Sequence, residues 1–355
     1  VLNNAKAINE LAAMLGVDIP IVQAPMAGFQ GHALASAVCN VGALGSIPCA
    51  LLGPAALQQE MASMSASTTR GYNLNFFCHE MPTVDKALES AWLARLGPYY
   101  EELKVSDEDM LPGAVRMPFD HSTADLLSGQ PPQMISFHFG LPPKDLFDRV
   151  RGLGSIIASS ATTVAEARWL EAQGVDVIIA QGLEAGGHRG SFLSRDLAEQ
   201  SGTFALLPQI VAAVDVPVIA AGGIADAEGV VAALALGAAA AQIGTSYLLC
   251  PEATTSSVHR RALRADPPRV TAITNVFSGR PARGIKNRLM EELGPIGASV
   301  PDFPLASAGL LPLRRKAERE GLDGFSPLWA GQNVSGCREL PAAELTRELA
   351  RLIGR

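Results

Sequence analysis

SIIASSATTVAEARWLEAQGVDVIIAQ, residues 155–181, contains one complete unit of a fold: an apolar run, an amphipathic stretch, and a second apolar run. SIIASS (155–160) and DVIIAQ (176–181) are short and almost continuously apolar, the signature of strands covered on both faces. Between them, TTVAEARWLEAQG sets Thr163 and Glu166 at capping-box spacing and stops at Gly174, so it reads as a helix. A strand, a helix and a strand in this order imply parallel neighbours in one sheet.

The pattern repeats in both directions. Further strand-like runs are IVQAPM (21–26), ALGSI (43–47), YNLNFF (72–77), QMISFHF (133–139), PVIAAG (217–222) and AAAQIGT (239–245), and DAEGVVAALALG (226–237) is helical. Eight units predict an α/β fold, a closed (β/α)8 TIM barrel, with a doubly wound open sheet as the rival. The expected organisation is a barrel over residues 1–250, interrupted at about 79–132 by a proline-rich excursion carrying Pro82, Pro98, Pro112, Pro118, Pro131 and Pro132. Residues 251–340 hold no strand of barrel type and predict a smaller, mostly helical cap near the barrel mouth. Residues 341–355 predict a terminal helix that packs back on the barrel.

Of the 355 residues 48% are hydrophobic and 18% charged, the profile of a globular chain with a large core. The net charge of -7, with both signs mixed, argues against nucleic acid as a partner. The five cysteines lack any CxxC pair, and no His, Asp, Glu or Cys pair has ligand spacing. Reduced thiols in a cytoplasm, and no metal, are therefore expected. VLNNAKAINELAAML reads as an amphipathic helix rather than a signal. The apolar run VVAALALGAAAAQI (230–243) is shorter than the roughly 20 residues of a membrane span. It reads as a buried helix followed by a buried strand.

In a barrel the reactive groups gather where strands end. These ends carry Met26 after the first run, Asn75 in the third, His138 in the fourth and QGLEAGGHRG (181–190) from the sixth. Gly222 and Gly223 follow the seventh, and Gly244 and Thr245 the eighth. AAGGIAD (220–226) and QIGTSY (242–247) set backbone amides and hydroxyls beside helix starts, which predicts a bound phosphate, although tight βα turns would use the same glycines. No G-x-G-x-x-G follows a strand and no P-loop is present, so a flavin mononucleotide suits the pattern better than a dinucleotide or a nucleoside triphosphate.

Asn75 and Gln181 are amides able to donate and accept, as the pyrimidine edge of a flavin requires. Asn73 shares the face of Asn75. His188, after Gly186 and Gly187, would present at the barrel mouth a group that exchanges a proton near neutral pH. His138 reads equally as a hydrogen-bonded core histidine or as a second histidine of the site, and His79 is a weaker candidate.

Together QAPMAG (23–28), NLNFFCH (73–79), SFHFG (136–140), QGLEAGGHRG, AAGGIAD with QIGT (242–245), FSGRPARG (277–284) and PLWAGQ (327–332) resemble the class I nitronate monooxygenases, formerly 2-nitropropane dioxygenases. The resemblance implies an FMN-dependent TIM barrel that oxidises alkyl nitronates, notably propionate 3-nitronate, with O2 and without NAD(P)H. The nitronate would give one electron to the flavin, oxygen would react, and the C–N bond would break to a carbonyl compound plus nitrite or nitrate. It also implies that His188 is catalytic, holding the nitronate and taking the α-proton of a neutral nitroalkane. FMN contacts are implied at Met26, Asn75, Gln181, Gly186, Gly222, Gly223, Gln242, Ile243, Gly244 and Thr245, and a substrate contact at His138. Detoxification is the role the family carries.

The nearest rival is a flavin-dependent, NADH-using enoyl reductase, similar in EAGGH and GRPARG; an NADH:quinone reductase is the next. Gln181 and the SFHFG and FCH motifs favour the monooxygenase. A non-enzymatic flavin-binding barrel is the remaining alternative.

Overall fold

The computed structural model describes residues 4–111 and 113–354. Its strands are β1 (Ile21–Gln23), β2 (Ser46–Pro48), β3 (Asn73–Phe77), β4 (Met134–His138), β5 (Ile156–Ala161), β6 (Val177–Gln181), β7 (Gly187–His188), β8 (Val218–Ala221), β9 (Ala240–Ile243), β10 (Thr271–Thr274) and β11 (Ala282–Ile285). Eight of them form one parallel sheet in the order β1-β9-β8-β6-β5-β4-β3-β2. Its two ends meet through a parallel bridge between Val22 and Leu44. There Gln23 N donates to Leu44 O at 2.8 Å and Leu44 N to Ile21 O at 3.0 Å. The sheet is therefore a closed barrel, and each of the eight apolar runs contributes one strand.

Successive strand residues point to opposite faces, so each strand feeds two cores. On β6, Ile178 and Ala180 pack outward against helix residues Leu170, Leu206 and Leu207. Val177 and Ile179 point into the barrel, in one cluster with Leu11 and Leu15 of the helix Ala5–Leu15. That helix thus plugs the end of the barrel opposite the loops discussed below. The apolar run 230–243 divides as expected into the helix Ala227–Ala235 and strand β9.

The excursion and the region after residue 250 meet. Trp92 and Leu96 of the helix Lys86–Glu102 share a second core with Leu310 and Leu313 of the helix Ala306–Arg319. Trp92 Nε1 donates to Ala306 O at 3.2 Å and Tyr100 Oη to Gly309 O at 2.6 Å. Helices alone do not describe residues 251–340: β10 and β11 pair antiparallel, and β11 pairs with the two-residue β7. This small sheet joins the loop after β6 to the segment beyond the barrel. The final helix, Ala342–Ala350, lays Leu345 and Leu349 on Leu34, Val38, Val230 and Leu234, where the first and last barrel units adjoin.

Candidate functional site

QGLEAGGHRG leaves β6 and turns back on itself. Arg189, fully buried, donates from Nη2 to Gln181 O and from Nη1 to Gly182 O, both at 2.9 Å, and from Nε to Gln200 Oε1 at 2.8 Å. Arg283 on β11 donates from Nε to Leu183 O at 2.8 Å. Two guanidinium groups thus take three consecutive carbonyls where the chain leaves β6, at a place where an unpaired buried carbonyl would cost about 1–3 kcal/mol. A Cβ on Gly186 would stand 2.6 Å from the backbone of Ala330 and Gly331, so a side chain is excluded there by the neighbouring segment.

The amide of Gln181 is used at both ends by the same loop. Its Nε2 donates to His188 O at 3.0 Å and its Oε1 accepts from Gly190 N at 2.8 Å. His138 Nε2 also donates to His188 O, at 3.1 Å, while its Nδ1 lies 3.0 Å from Ser160 Oγ. Because a carbonyl can only accept, His138 carries its proton on Nε2, and the Ser160 hydroxyl donates to Nδ1. Burial pushes His138 down to about 3, so it is neutral at pH 7.

His188 stands among the rings of Phe77, Phe139, Phe303 and Trp329, with centroids 5.1–6.1 Å away. Its Nε2 is 2.9 Å from Ser278 Oγ. The Ser278 hydroxyl donates to Arg280 O at 3.3 Å, so it accepts the Nε2 proton of His188 and leaves Nδ1 as a bare acceptor. Burial, followed by the positive charges of Arg116 and other neighbours, holds the imidazole well below its ordinary value. The imidazole expected to exchange a proton near neutral pH is therefore held neutral there, in the form that accepts a proton.

The strand ends surround a cavity with about 1210 Å³ of empty space, including its open mouth. Met26, Asn75, Gln181, His138 and His188 line it, as do Gly186, Gly222, Gly223, Gln242, Gly244 and Thr245. Ile243 does not: its side chain packs outward with Ile21, Leu34 and Val38, since the residue after inward Gln242 must face the helices. Asn75 Nδ2 donates to Ser136 Oγ at 2.9 Å, while Asn73 lies deeper, donating to Ser46 Oγ at 3.0 Å. His79 is also outside the lining, its Nε2 donating to Arg116 O at 3.1 Å.

Directly after β8, Gly222 and Gly223 take positive φ angles of 121° and 75°. Among the described residues no acceptor takes the amides of Gly223, Ile224 or Gly244. The helix beginning at Ala227 is already capped by Asp226, which accepts from Gly229 N at 2.7 Å. The open donors are therefore the loop amides and not that helix end. Lining residues given no role by the sequence include Arg116, Trp329, Gly331 and Asn333. Gly331 N donates to Thr245 Oγ1 at 2.9 Å and Asn333 Nδ2 to Gly223 O at 3.2 Å. PLWAGQ was visible as a motif, but Arg116, 22 residues before His138 in a proline-rich excursion, carries no periodic signal.

The profile described as nitronate monooxygenase matches residues 9–351. A nitronate monooxygenase of Paraburkholderia phytofirmans is 40% identical over 345 residues, 96% of this chain and 94% of that protein. One of Pseudomonas aeruginosa is 40% identical over 341 residues, 95% and 96% of the two chains. The nitroalkane oxidase from Streptomyces ansochromogenes superposes with a TM-score of 0.86 at 36% identity, covering 96% of this chain and 97% of its own. FabK from Thermotoga maritima shares the fold, with a TM-score of 0.70 at 24% identity over 96% and 94% of the two chains.

Proposed function

The chain belongs to the nitronate monooxygenase family, an oxidoreductase family acting on nitronates, and on that premise we propose that it oxidises alkyl nitronates, propionate 3-nitronate among them, with O2 and bound FMN. The observation that carries this reading is the convergence on one cavity of unpaired loop amides at one side and a neutral imidazole at the other.

The residues fit the cofactor. The amides of Gly223, Ile224 and Gly244, with the Thr245 side chain, are donors for a phosphate, and Asn75 and Gln242 face the cavity where a ring edge would lie. Gln242 Oε1 is buried without a partner, an acceptor awaiting a donor. Gln181 would act differently from Asn75, since its amide already holds the loop that carries His188. When bound, FMN would supply an electron acceptor for the nitronate and a route to O2, with cleavage to a carbonyl compound and nitrite or nitrate.

The protein's own part is positional and acid–base. His188 Nδ1 takes the α-proton of a neutral nitroalkane, leaving imidazolium beside the nitronate it has generated. A nitronate that arrives ionised needs no base from His188. Aromatic walls from Phe77, Phe139, Phe303 and Trp329 exclude water around that ring.

Purified protein should be yellow and should release FMN on denaturation. Mixed without oxygen, propionate 3-nitronate should bleach the flavin band and NADH should leave it unchanged, and air should restore it with formation of nitrite or nitrate. Bleaching by NADH but not by the nitronate would overturn the proposal in favour of a reductase.

A further inference from the structure

Arginines around the cavity are accounted for with one exception. Arg189 and Arg283 are spent on loop carbonyls. Arg280 donates to Ser191 O and lies 3.9 Å from the centroid of the Phe139 ring. Arg116 lines the cavity, yet its guanidinium has no hydrogen-bonding or carboxylate partner among the described residues, and its Nε is sealed from solvent. Burial and the like charge of Arg314 push it down to about 10, still charged at pH 7. Among the described residues no Asp or Glu lines the cavity, and the two lining histidines are neutral. The site thus holds one uncompensated fixed cation.

A partly buried guanidinium of this kind is costly unless an anion meets it. Among the charges around His188, that of the Arg116 side chain acts on it most strongly. Its backbone is set back, held by His79 behind Phe303, with ring centroids 4.7 Å apart for His79 and Phe303 and 5.1 Å for Phe303 and His188. Arg116 and His188 line the same cavity, so one small molecule can meet both.

We propose that Arg116 is the specificity-determining residue of the site, pairing with a carboxylate carried on a short chain by the nitronate whose reacting end lies at His188. This rests on the nitronate-oxidising reading above. The planar fork of Arg matches a carboxylate with two parallel hydrogen bonds. A plain alkyl nitronate leaves that fork unmet, so the enzyme discriminates in favour of substrates with two negative charges.

The test is the ratio of kcat/KM for propionate 3-nitronate to that for propyl-1-nitronate, measured on the holoenzyme. Arg116→Gln should lower the ratio about 10- to 100-fold, the worth of a hydrogen-bonded charge, chiefly through KM, and Arg116→Lys should recover part of it. In the unaltered holoenzyme, calorimetry should find succinate bound at least about tenfold more tightly than butyrate. Equal losses on both nitronates, an unchanged ratio, or equal binding of the two acids would each overturn the assignment. If the wild type oxidises neither nitronate, the proposed reaction fails, and the succinate and butyrate arm still decides the role of Arg116.

Discussion

His188 and His138 show how identical side chains take different roles by virtue of their neighbours. His138 is occupied at both nitrogens and fixes the backbone of His188, whereas His188 is bonded at Nε2 and its Nδ1 takes no hydrogen bond among the described residues. Because the His188 carbonyl is held by Gln181 and His138, the loop does not depend on the imidazole. His188→Asn should therefore retain FMN while lowering kcat/KM for a neutral nitroalkane by about 10²- to 10⁴-fold, the usual worth of a general base. The loss should be smaller for a nitronate supplied already ionised. Steady-state rates on both forms and the flavin content after denaturation check this, and equal losses on the two forms would remove the base role. Residues of this kind are legible in sequence as types at strand ends; which nitrogen is free is not, because Ser278 arrives from 90 residues away.

At the scale of elements, the junction after β5 ties the barrel to the loop that carries His188. Thr163 accepts from Glu166 N at 3.2 Å, as its spacing predicts. Glu166 does not return the bond to Thr163. Its carboxylate accepts from Thr162 N at 2.7 Å and Thr162 Oγ1 at 2.8 Å, and from Phe192 N at 2.6 Å beyond the His188 loop. Half of the expected capping box is thus diverted to a tertiary contact. Thr163→Ala should cost about 1 kcal/mol, as for a lost N-cap. Glu166→Ala strands buried donors of two segments and should cost about 2–4 kcal/mol. Urea midpoints of the two variants measure both, and equal values would show that Glu166 acts on its helix alone.

For the molecule as a whole, four histidines withdrawn wholly or partly from solvent set the response to acid. Burial lowers His138 to about 3 and His79 and His259 to about 4, and holds His188 well down, against 6.5 in an unfolded chain. Between those values the unfolded chain binds protons that the fold refuses, so stability rises with pH through the window. It should be complete above about pH 6.5 and decline as pH falls toward about 4. Urea midpoints at pH 7.5, 6.5 and 5.5 should fall in that order, and His259→Leu should lessen the slope. A midpoint that does not move between 7.5 and 5.5 would show these rings protonated in the fold.

The sequence by itself determined the barrel, the strand ends and most of the cavity lining, because parallel strands buried on both faces must be apolar runs and helices between them must show their caps. It also determined the family, since QAPMAG, SFHFG and QGLEAGGHRG keep their order along the chain. Only the tertiary structure decided that Gln181 is consumed by its own loop, that Ile243 faces outward, and that β11 clasps the loop of His188. It alone brought Arg116 to the cavity. These are contacts between segments far apart in the chain, made by irregular backbone and long polar side chains, and no periodicity encodes where such groups end.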